Sequence, residues 1–366
     1  MQILRLDVRQ LRRFDDVRFE PAPGLNLITG DNGAGKTSLL EALHLMAYGR
    51  SFRGRVRDGL IRSGAAALEV FVEWRERGDA VRRAGLRHAG PAWSGRLDGR
   101  DVPQLSDLCA ALAVVTFEPG SHALVTGGAD HRRRYLDWGL FHVEQAAFLP
   151  VWRRYARALK QRNALLKSRA PDALLDAWDR ELADAGEPLT RHRQAYLDAL
   201  QADLDRLAGE LAPMLGGLRA DYLPGWRREE MPLGDALLLA RERDRQGGHT
   251  SVGPHRADWR LTFGAVPGRE ALSRGQAKLT ALAALLAQAE HFARHQGEWP
   301  VVALDDLASE LDRRHQRRVI DHLVRHGVQV WISGTDVPAG VPDGLGDAAV
   351  FHVEHGAVVR LGMPAR

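Results

Sequence analysis

One run of residues has the types and spacing that bind phosphate: Gly30-Asp31-Asn32-Gly33-Ala34-Gly35-Lys36-Thr37, followed by Ser38. It fits the pattern G-x-x-x-x-G-K-[ST], a glycine-rich loop whose backbone N–H groups face phosphate oxygens. The Lys36 ammonium can reach the β- and γ-phosphates of a nucleotide, and the Thr37 hydroxyl can bind Mg²⁺. Because an apolar strand precedes the run and helical spacing follows it, we expect a nucleoside triphosphate site here.

A second pattern places two acids at the end of an apolar strand, Val301-Val302-Ala303-Leu304-Asp305-Asp306. Proteins that hydrolyse nucleotides at such a loop use acids at this position to hold Mg²⁺ and to position the attacking water. We predict that Asp305 is a metal partner alongside Thr37, and that Asp306 either deprotonates or orients the water. Lys36, Asp305 and Asp306 are thus the candidate catalytic residues. The alternative is an aspartate that only caps the next helix.

A third pattern, Leu272-Ser273-Arg274-Gly275-Gln276, opens a helix rich in alanine and leucine. Ser273 and Gln276 have the spacing of a capping box, which can be its whole role. The alternative is an anion site, in which Ser273, Gln276 and the Gly275 N–H bind phosphate at the helix N-terminus. Its position shortly before Asp305 favours the second interpretation.

The elements that must position these residues can be predicted from hydrophobic periodicity. Period-two alternation predicts strands and helical spacing predicts helices, so the chain divides into strands within 1–30, 68–74, 81–97, 112–117, 300–304 and 328–332, a hairpin at 349–361, and helices at 37–47, about 130–246 and 274–296. We therefore predict an α/β unit split around a helical insertion, with 1–115 and 297–366 in one lobe and 116–296 in the other. Leucines spaced by three and four residues predict an amphipathic helix packed in the insertion, at Leu197, Leu200, Leu204, Leu207 and Leu211.

Composition narrows the class of protein. The chain has 366 residues, of which 45% are hydrophobic and 27% charged, an ordinary globular mixture that excludes disorder for most of the chain. Cys109 is the only cysteine, which excludes an intrachain disulfide and a cysteine-based zinc site. No apolar run is long enough to span a membrane, so we expect a cytoplasmic protein without membrane contact.

Arginine strongly outnumbers lysine, since only four of the 51 basic residues are lysines. A GC-rich genome explains such a bias, and phosphate contact is the alternative explanation. The arginines cluster at two places, around 131–162 and at Arg50, Arg53, Arg55, Arg57 and Arg62. We expect the second cluster, and Arg50, Arg53, Arg55 and Arg57 in particular, to contact DNA phosphates.

The three patterns in this order resemble the ABC-type ATPases, including their SMC-like branch. That resemblance implies that Ser273 and Gly275 of one subunit close on the ATP held by another. Leu307-Ala308-Ser309-Glu310-Leu311-Asp312 looks like the D-loop at that interface.

Within this superfamily the sequence resembles the RecF family of bacterial DNA repair and recombination proteins nearly end to end. The segments that carry the resemblance, besides the three patterns above, are Leu11-Arg12-Arg13-Phe14, Leu39-Leu40-Glu41-Ala42-Leu43, Gly49-Arg50-Ser51-Phe52-Arg53, Arg133-Arg134-Tyr135-Leu136-Asp137-Trp138-Gly139, Leu159-Lys160-Gln161-Arg162-Asn163 and Gly253-Pro254-His255-Arg256. Of the first segment only Arg12 matches the family cleanly, and it is expected to face the nucleotide.

The resemblance implies an ABC-type P-loop ATPase head with an inserted, mostly helical second lobe, using ATP and Mg²⁺. It implies a weak, DNA-stimulated ATPase that forms a homodimer on ATP and binds single-stranded, double-stranded and gapped DNA. The expected role, together with RecR and RecO, is to help load RecA at gapped DNA and to support replication forks, recombination and SOS induction.

Other ATPase classes fit less well. A transporter subunit should carry a histidine after the strand at 328–332, where Ser333-Gly334-Thr335 stands instead, and no glutamine lies between Gln104 and Gln145 to serve a Q-loop. The insertion is too short for a long-armed SMC protein, and a metabolite kinase would not need Ser273 and Gln276. An ABC-type ATPase subunit of a different complex remains the alternative.

Overall fold

The computed structural model describes residues 1–53, 59–90, 92–341 and 348–361. Contacts divide the chain into two compact units, one formed by Met1–Ser121 with Ala289–Arg366 and the other by His122–Gln288. The sequence predicts the boundaries between the two lobes after residues 115 and 296.

The described ranges contain the following strands and helices, numbered in chain order. The strands are β1 (Gln2–Leu11), β2 (Phe14–Phe19), β3 (Leu25–Thr29), β4 (Leu68–Arg75), β5 (Val81–Ala89), β6 (Ala92–Leu97), β7 (Arg100–Val102), β8 (Val114–Phe117), β9 (Leu218–Leu223), β10 (Asp258–Phe263), β11 (Val301–Leu304), β12 (Val330–Ser333), β13 (Ala349–Glu354) and β14 (Ala357–Leu361). The α-helices are α1 (Lys36–Tyr48), α2 (Leu105–Ala111), α3 (Ala123–Thr126), α4 (Ala129–Val143), α5 (Gln145–Lys167), α6 (Asp172–Leu211), α7 (Leu233–Gly247), α8 (Arg274–Gln296), α9 (Leu307–Glu310) and α10 (Arg313–Arg325).

Two sheets build the first unit. One is mostly parallel, in the order β14-β13-β3-β12-β11-β8, and only its β13–β14 pair is antiparallel. Its strands β8, β11 and β12 are buried along their whole length, which explains their continuous apolar sequences. The other sheet is antiparallel, in the order β2-β1-β4-β5-β6-β7, and β4 buries every second residue. Helix α1 contacts strands of both sheets.

The second unit is mostly helical. Helices α4 to α7 pack together, and all five leucines predicted to face a core on α6 are buried. The prediction of a packed amphipathic helix is therefore confirmed. The helical prediction for about 130–246 is wrong at β9, which pairs antiparallel with β10. Gly216 and Gly217 both have positive φ and end the helical path just before this strand.

The mixed α/β fold with a helical second unit confirms the predicted class. None of the helices in the described ranges has the length and apolar content that a bilayer crossing needs.

Candidate nucleotide site

The glycine-rich loop lies between β3 and α1, at the carboxyl edge of the parallel sheet. Two of its glycines are required by the backbone path. Gly30 has φ 144°, and a Cβ there would lie 2.3 Å from the Val353 carbonyl oxygen. Gly35 has φ 126°, and a Cβ there would lie 3.1 Å from the Phe14 ring. The loop is thus held close to β13 and β2, in a shape that a side chain would disrupt.

Lys36 is the first residue of α1, and its side chain folds back over the loop. Its Nζ donates to the Gly30 carbonyl oxygen at 2.6 Å and to the Asp31 carbonyl oxygen at 2.9 Å. The side chain is buried, so the ammonium is fixed within the loop by two backbone acceptors. A cation held in this way is positioned to meet phosphate oxygens that the loop N–H groups surround.

The two other predicted residues meet at the same sheet edge. The Thr37 hydroxyl donates to Asp305 Oδ1 at 3.0 Å, across a separation of 268 positions in sequence. Burial raises the pKa of the Asp305 carboxyl, and the nearby Asp306 charge raises it further. Hydrogen bonds from Ser333 and Thr37 and the charge of Arg53 oppose that shift in the pKa. A hydroxyl and a carboxylate in contact are hard oxygen donors, so Thr37 and Asp305 fit a magnesium ion.

Asp306 lies in the wall of a cavity of about 290 Å³ next to the loop. The cavity is lined by Arg12, Arg13, Asn32, Gly33, Gly35, Lys36, Thr37, Ser38, Arg53 and Asp306. The structure therefore brings most of the predicted site residues of the first unit into one space. It adds Arg13, which sequence reasoning set aside because its neighbourhood departs from the family pattern.

Arg12 is oriented by a two-pronged ion pair. Its Nε and Nη2 donate to the two carboxylate oxygens of Glu41 at 3.0 and 2.9 Å, and Nη1 donates to the Gly59 carbonyl oxygen at 3.2 Å. Glu41 is fully buried and also accepts from the Ser51 hydroxyl. The two segments that resemble family motifs around Glu41 and Ser51 thus hold Arg12 in the cavity wall.

The predicted serine-glycine pattern lies in the second unit, where it forms a capping box. Ser273 N donates to Gln276 Oε1 at 2.8 Å, and Gln276 N donates to Ser273 Oγ at 3.2 Å. Ser273 and Gly275 are exposed, and a Cβ on Gly275 would meet no atom within 4 Å. The capping box is present, and the exposed Gly275 leaves the helix start open to a ligand.

Within each arginine cluster the side chains differ in their surroundings. Arg50 and Arg53 are both exposed, but Arg53 also lies in the cavity wall, and Arg62 pairs with Asp15 at 3.1 Å. Arg55 and Arg57 lie outside the described residues. In the cluster around 131–162, Arg132 and Arg162 are buried, so these two side chains do not reach the surface.

Those two arginines instead connect distant segments of the second unit. Arg132 donates to both carboxylate oxygens of Asp258, at 2.5 and 3.1 Å. Arg162 donates to Asp179 at 2.5 Å, to Asp244 at 2.7 Å and to the Thr250 hydroxyl at 2.9 Å. The two guanidinium charges are neutralised by aspartates far away in sequence. Runs of arginine in the sequence do not indicate such partners.

The Gly253-Pro254-His255-Arg256 segment belongs to the same interior. Arg193 donates to the Pro254 carbonyl oxygen at 2.7 Å and pairs with Asp137 at 2.7 and 2.8 Å. The His255 ring bonds the Tyr155 hydroxyl at 2.7 Å and the Thr250 carbonyl oxygen at 2.9 Å. Burial lowers the pKa of His255 to about 4, so the ring is neutral at pH 7.

Comparison with known proteins shows the family to which this chain belongs. The family model described as the RecF/RecN/SMC N terminal domain matches residues 2–336. A curated protein of Stenotrophomonas maltophilia, named DNA replication and repair protein RecF, is 66% identical over 98% of this chain and 99% of its own length. The chain belongs to the RecF family.

Solved structures agree with that placement. A structure of the recombination mediator protein RecF with ATP, from the RecFOR pathway, has a TM-score of 0.88 at 26% identity and covers 99% of this chain and 98% of its own. The Smc head domain of Pyrococcus furiosus, at 16% identity and a TM-score of 0.58, covers 99% of this chain and 96% of its own and shares the fold. The ABC-type ATPase head predicted for this RecF-family chain is thereby confirmed, and its function lies in DNA replication and repair.

Proposed function

We propose that this chain is an ATP-dependent DNA-binding protein of recombinational repair, which dimerises on ATP and helps to load RecA at gapped DNA. The observation that carries the proposal is the contact between Thr37 on the phosphate loop and Asp305 at the end of β11. This contact joins the phosphate-binding loop to the two adjacent aspartates at one edge of the sheet. Three arginines line the cavity beside them.

In this proposal the first unit binds the nucleotide and the second carries the serine-glycine pattern. The loop from Gly30 to Ser38 surrounds the phosphates, and Lys36, already fixed by two carbonyl oxygens, contacts the β- and γ-oxygens. Thr37 and Asp305 would hold Mg²⁺, which supplies charge that polarises the phosphoryl oxygens. Asp306 orients the attacking water or accepts its proton.

In this proposal dimerisation brings together two patterns that lie in different units of the chain, the phosphate-binding loop and the serine-glycine pattern. Ser273, Gly275 and Gln276 start α8 with an open, exposed N-terminus, which attracts anions through its backbone N–H groups and its dipole. A second copy presents them to the γ-phosphate of ATP, so the nucleotide joins two chains. Slow hydrolysis, stimulated by DNA, then releases the dimer.

The partners in this proposal are inferred from related proteins. The related RecF–ATP structure is of a recombination mediator in the RecFOR pathway. We therefore expect RecR and RecO to be partners of this chain, and RecA to act after them. In this proposal the chain works in the cytoplasm and affects replication forks and the SOS response. Arg50 and Arg53 are the exposed members of the predicted DNA-binding set among the described residues. An ABC-type ATPase subunit of another complex would dimerise on ATP without preferring gapped DNA.

The test measures binding to a fluorescent gapped duplex by anisotropy, with and without ATP, over roughly a sixfold range of salt concentration, from about 50 to about 300 mM. We expect ATP to tighten binding and the logarithm of the affinity to fall linearly with the logarithm of salt concentration. Lys36 and Ser273 variants serve as controls that should lose the ATP effect. Equal affinity with and without ATP, or for gapped and intact duplex, would contradict the proposal.

A further inference from the structure

Ser333 is the last residue of β12 and lies beside the acids that follow β11. The two strands are parallel neighbours, with Leu304 opposite Ile332, so Asp305 and Ser333 follow side by side at the sheet edge. Ser333 is only 1% exposed. Its position is where transporter ATPases carry a histidine, and no role in the site has yet been given to it.

The Ser333 hydroxyl joins both acids. It donates to Asp305 Oδ1 at 2.5 Å and accepts from the backbone N–H of Asp306 at 2.9 Å. A serine hydroxyl has one donor and two acceptor sites, so this one uses its single proton on the carboxylate. Thr37 donates to the same oxygen of Asp305, so two hydroxyls hold that carboxylate oxygen in place.

The bond to Asp306 supports an unfavourable backbone. Asp306 has φ 57° and ψ 36°, the left-handed region, which is unfavourable for a residue with a side chain. Its carbonyl oxygen accepts from Ser309 N at 2.9 Å and starts α9. The bonds from Ser333 and α9 thus hold Asp306 on either side of its α-carbon and set the direction in which its side chain enters the cavity.

We propose that Ser333 is a positioning residue for hydrolysis, which acts through Asp306 and Asp305 without touching the nucleotide. This inference rests on the proposed ATPase function. Without the hydroxyl, the Asp306 N–H loses this acceptor and Asp305 loses one of the two hydroxyl donors seen among the described residues, so both acids leave their orientation. The phosphates remain held by the loop and Lys36, so the loss falls on turnover and not on ATP binding.

The experiment compares Ser333→Ala, Ser333→Thr and Ser333→Val in a steady-state ATPase assay on the full chain. Thr and Val have the same shape and differ in the hydroxyl, so their comparison isolates the two hydrogen bonds even if the smaller alanine disturbs packing. We expect Ser333→Ala and Ser333→Val to lower kcat by roughly tenfold or more with KM for ATP within about twofold, and Ser333→Thr to keep most of the activity. Thr335→Ala is the matched control and should be unchanged, because the Thr335 hydroxyl is exposed and, within the described part of the chain, donates to Asp336 at 3.4 Å.

A second readout separates positioning from folding. Light scattering should find that Ser333→Val still dimerises on ATP and that its dimer lasts longer than the parent dimer, because hydrolysis ends the dimer more slowly. Equal kcat for Thr and Val variants, a parallel rise in KM, or loss of the ATP dimer in Ser333→Val would overturn the inference. A parent protein that hydrolyses no ATP would instead refute the proposed function, so the two failures are distinguishable.

Discussion

The buried arginine of α5 offers a strong test of what holds the second unit together. Arg162→Met removes a fully buried guanidinium but keeps an unbranched apolar side chain in its place. Two charged hydrogen bonds, to Asp179 and Asp244, are lost, each contributing about 1.5–3 kcal/mol. Two carboxylates then remain buried beside each other. After allowing for the packing of the methionine, we expect the free energy of unfolding to fall by about 3–5 kcal/mol.

Arg154→Met is the matched control, because it makes the same change on the same helix at an exposed site. Arg154 pairs with Glu181 at 2.7 Å, but the side chains are 46% and 36% exposed. Water screens such a pair, so its loss should cost less than about 1 kcal/mol. Urea unfolding followed by circular dichroism compares the two variants with the parent through their transition midpoints.

The reasoning would be refuted if the two variants shifted the urea midpoint equally. It would also be refuted if Arg162→Met weakened DNA binding at constant stability or lowered the dependence of that binding on salt. Such a result would mean that Arg162 reaches phosphate, which its burial forbids.

Further predictions concern the nucleotide site and pH. Lys36→Arg should keep the fold but lose most ATP hydrolysis in a steady-state assay. The reason is that a guanidinium cannot replace the compact ammonium, which lies 2.6 Å from the Gly30 carbonyl oxygen. Unaltered turnover would contradict this prediction. Ser273→Arg should bind ATP yet fail to dimerise on it by light scattering, whereas a persisting ATP dimer would exclude the composite site. Burial lowers the pKa of His142 to about 3, below the ordinary 6.5, so the unfolded state binds the extra proton and stability falls as pH drops from about 6.5 toward 3. His142→Phe should therefore reduce the pH slope of stability by about 1.4 kcal/mol per pH unit in that window, as measured by urea unfolding at pH 7.5 and pH 5.0, and an unchanged slope would show that the ring is already protonated when folded.

The nucleotide site could be predicted from sequence because its parts are contiguous and each lies on a recognisable element. The loop before α1 and the acids after β11 are local patterns, and parallel strands bring their carboxyl ends to one edge. The contact between Thr37 and Asp305 follows from that rule.

Features that depend on distant partners could not be predicted. The exposed or buried state of an arginine is set by acids that α6 and α7 bring to it, as Arg162 illustrates with Asp179 and Asp244. Arg53 looked like part of a DNA-binding run, yet the fold places it beside Asp306 in the cavity. The role of Ser333 needed the register of β11 against β12, which no periodicity reveals.

The interior of the second unit limits which parts of the chain can be exchanged with a relative. The segment from Thr250 to Asp258 is held by residues of three helices: Arg132 on α4, Asn163 on α5 and Arg193 on α6. A chimera that imports this segment from a distant family member must import matching partners from all three helices. Recombination breakpoints placed between them should give insoluble chains, whereas breakpoints that keep all four pieces from one parent should give folded ones.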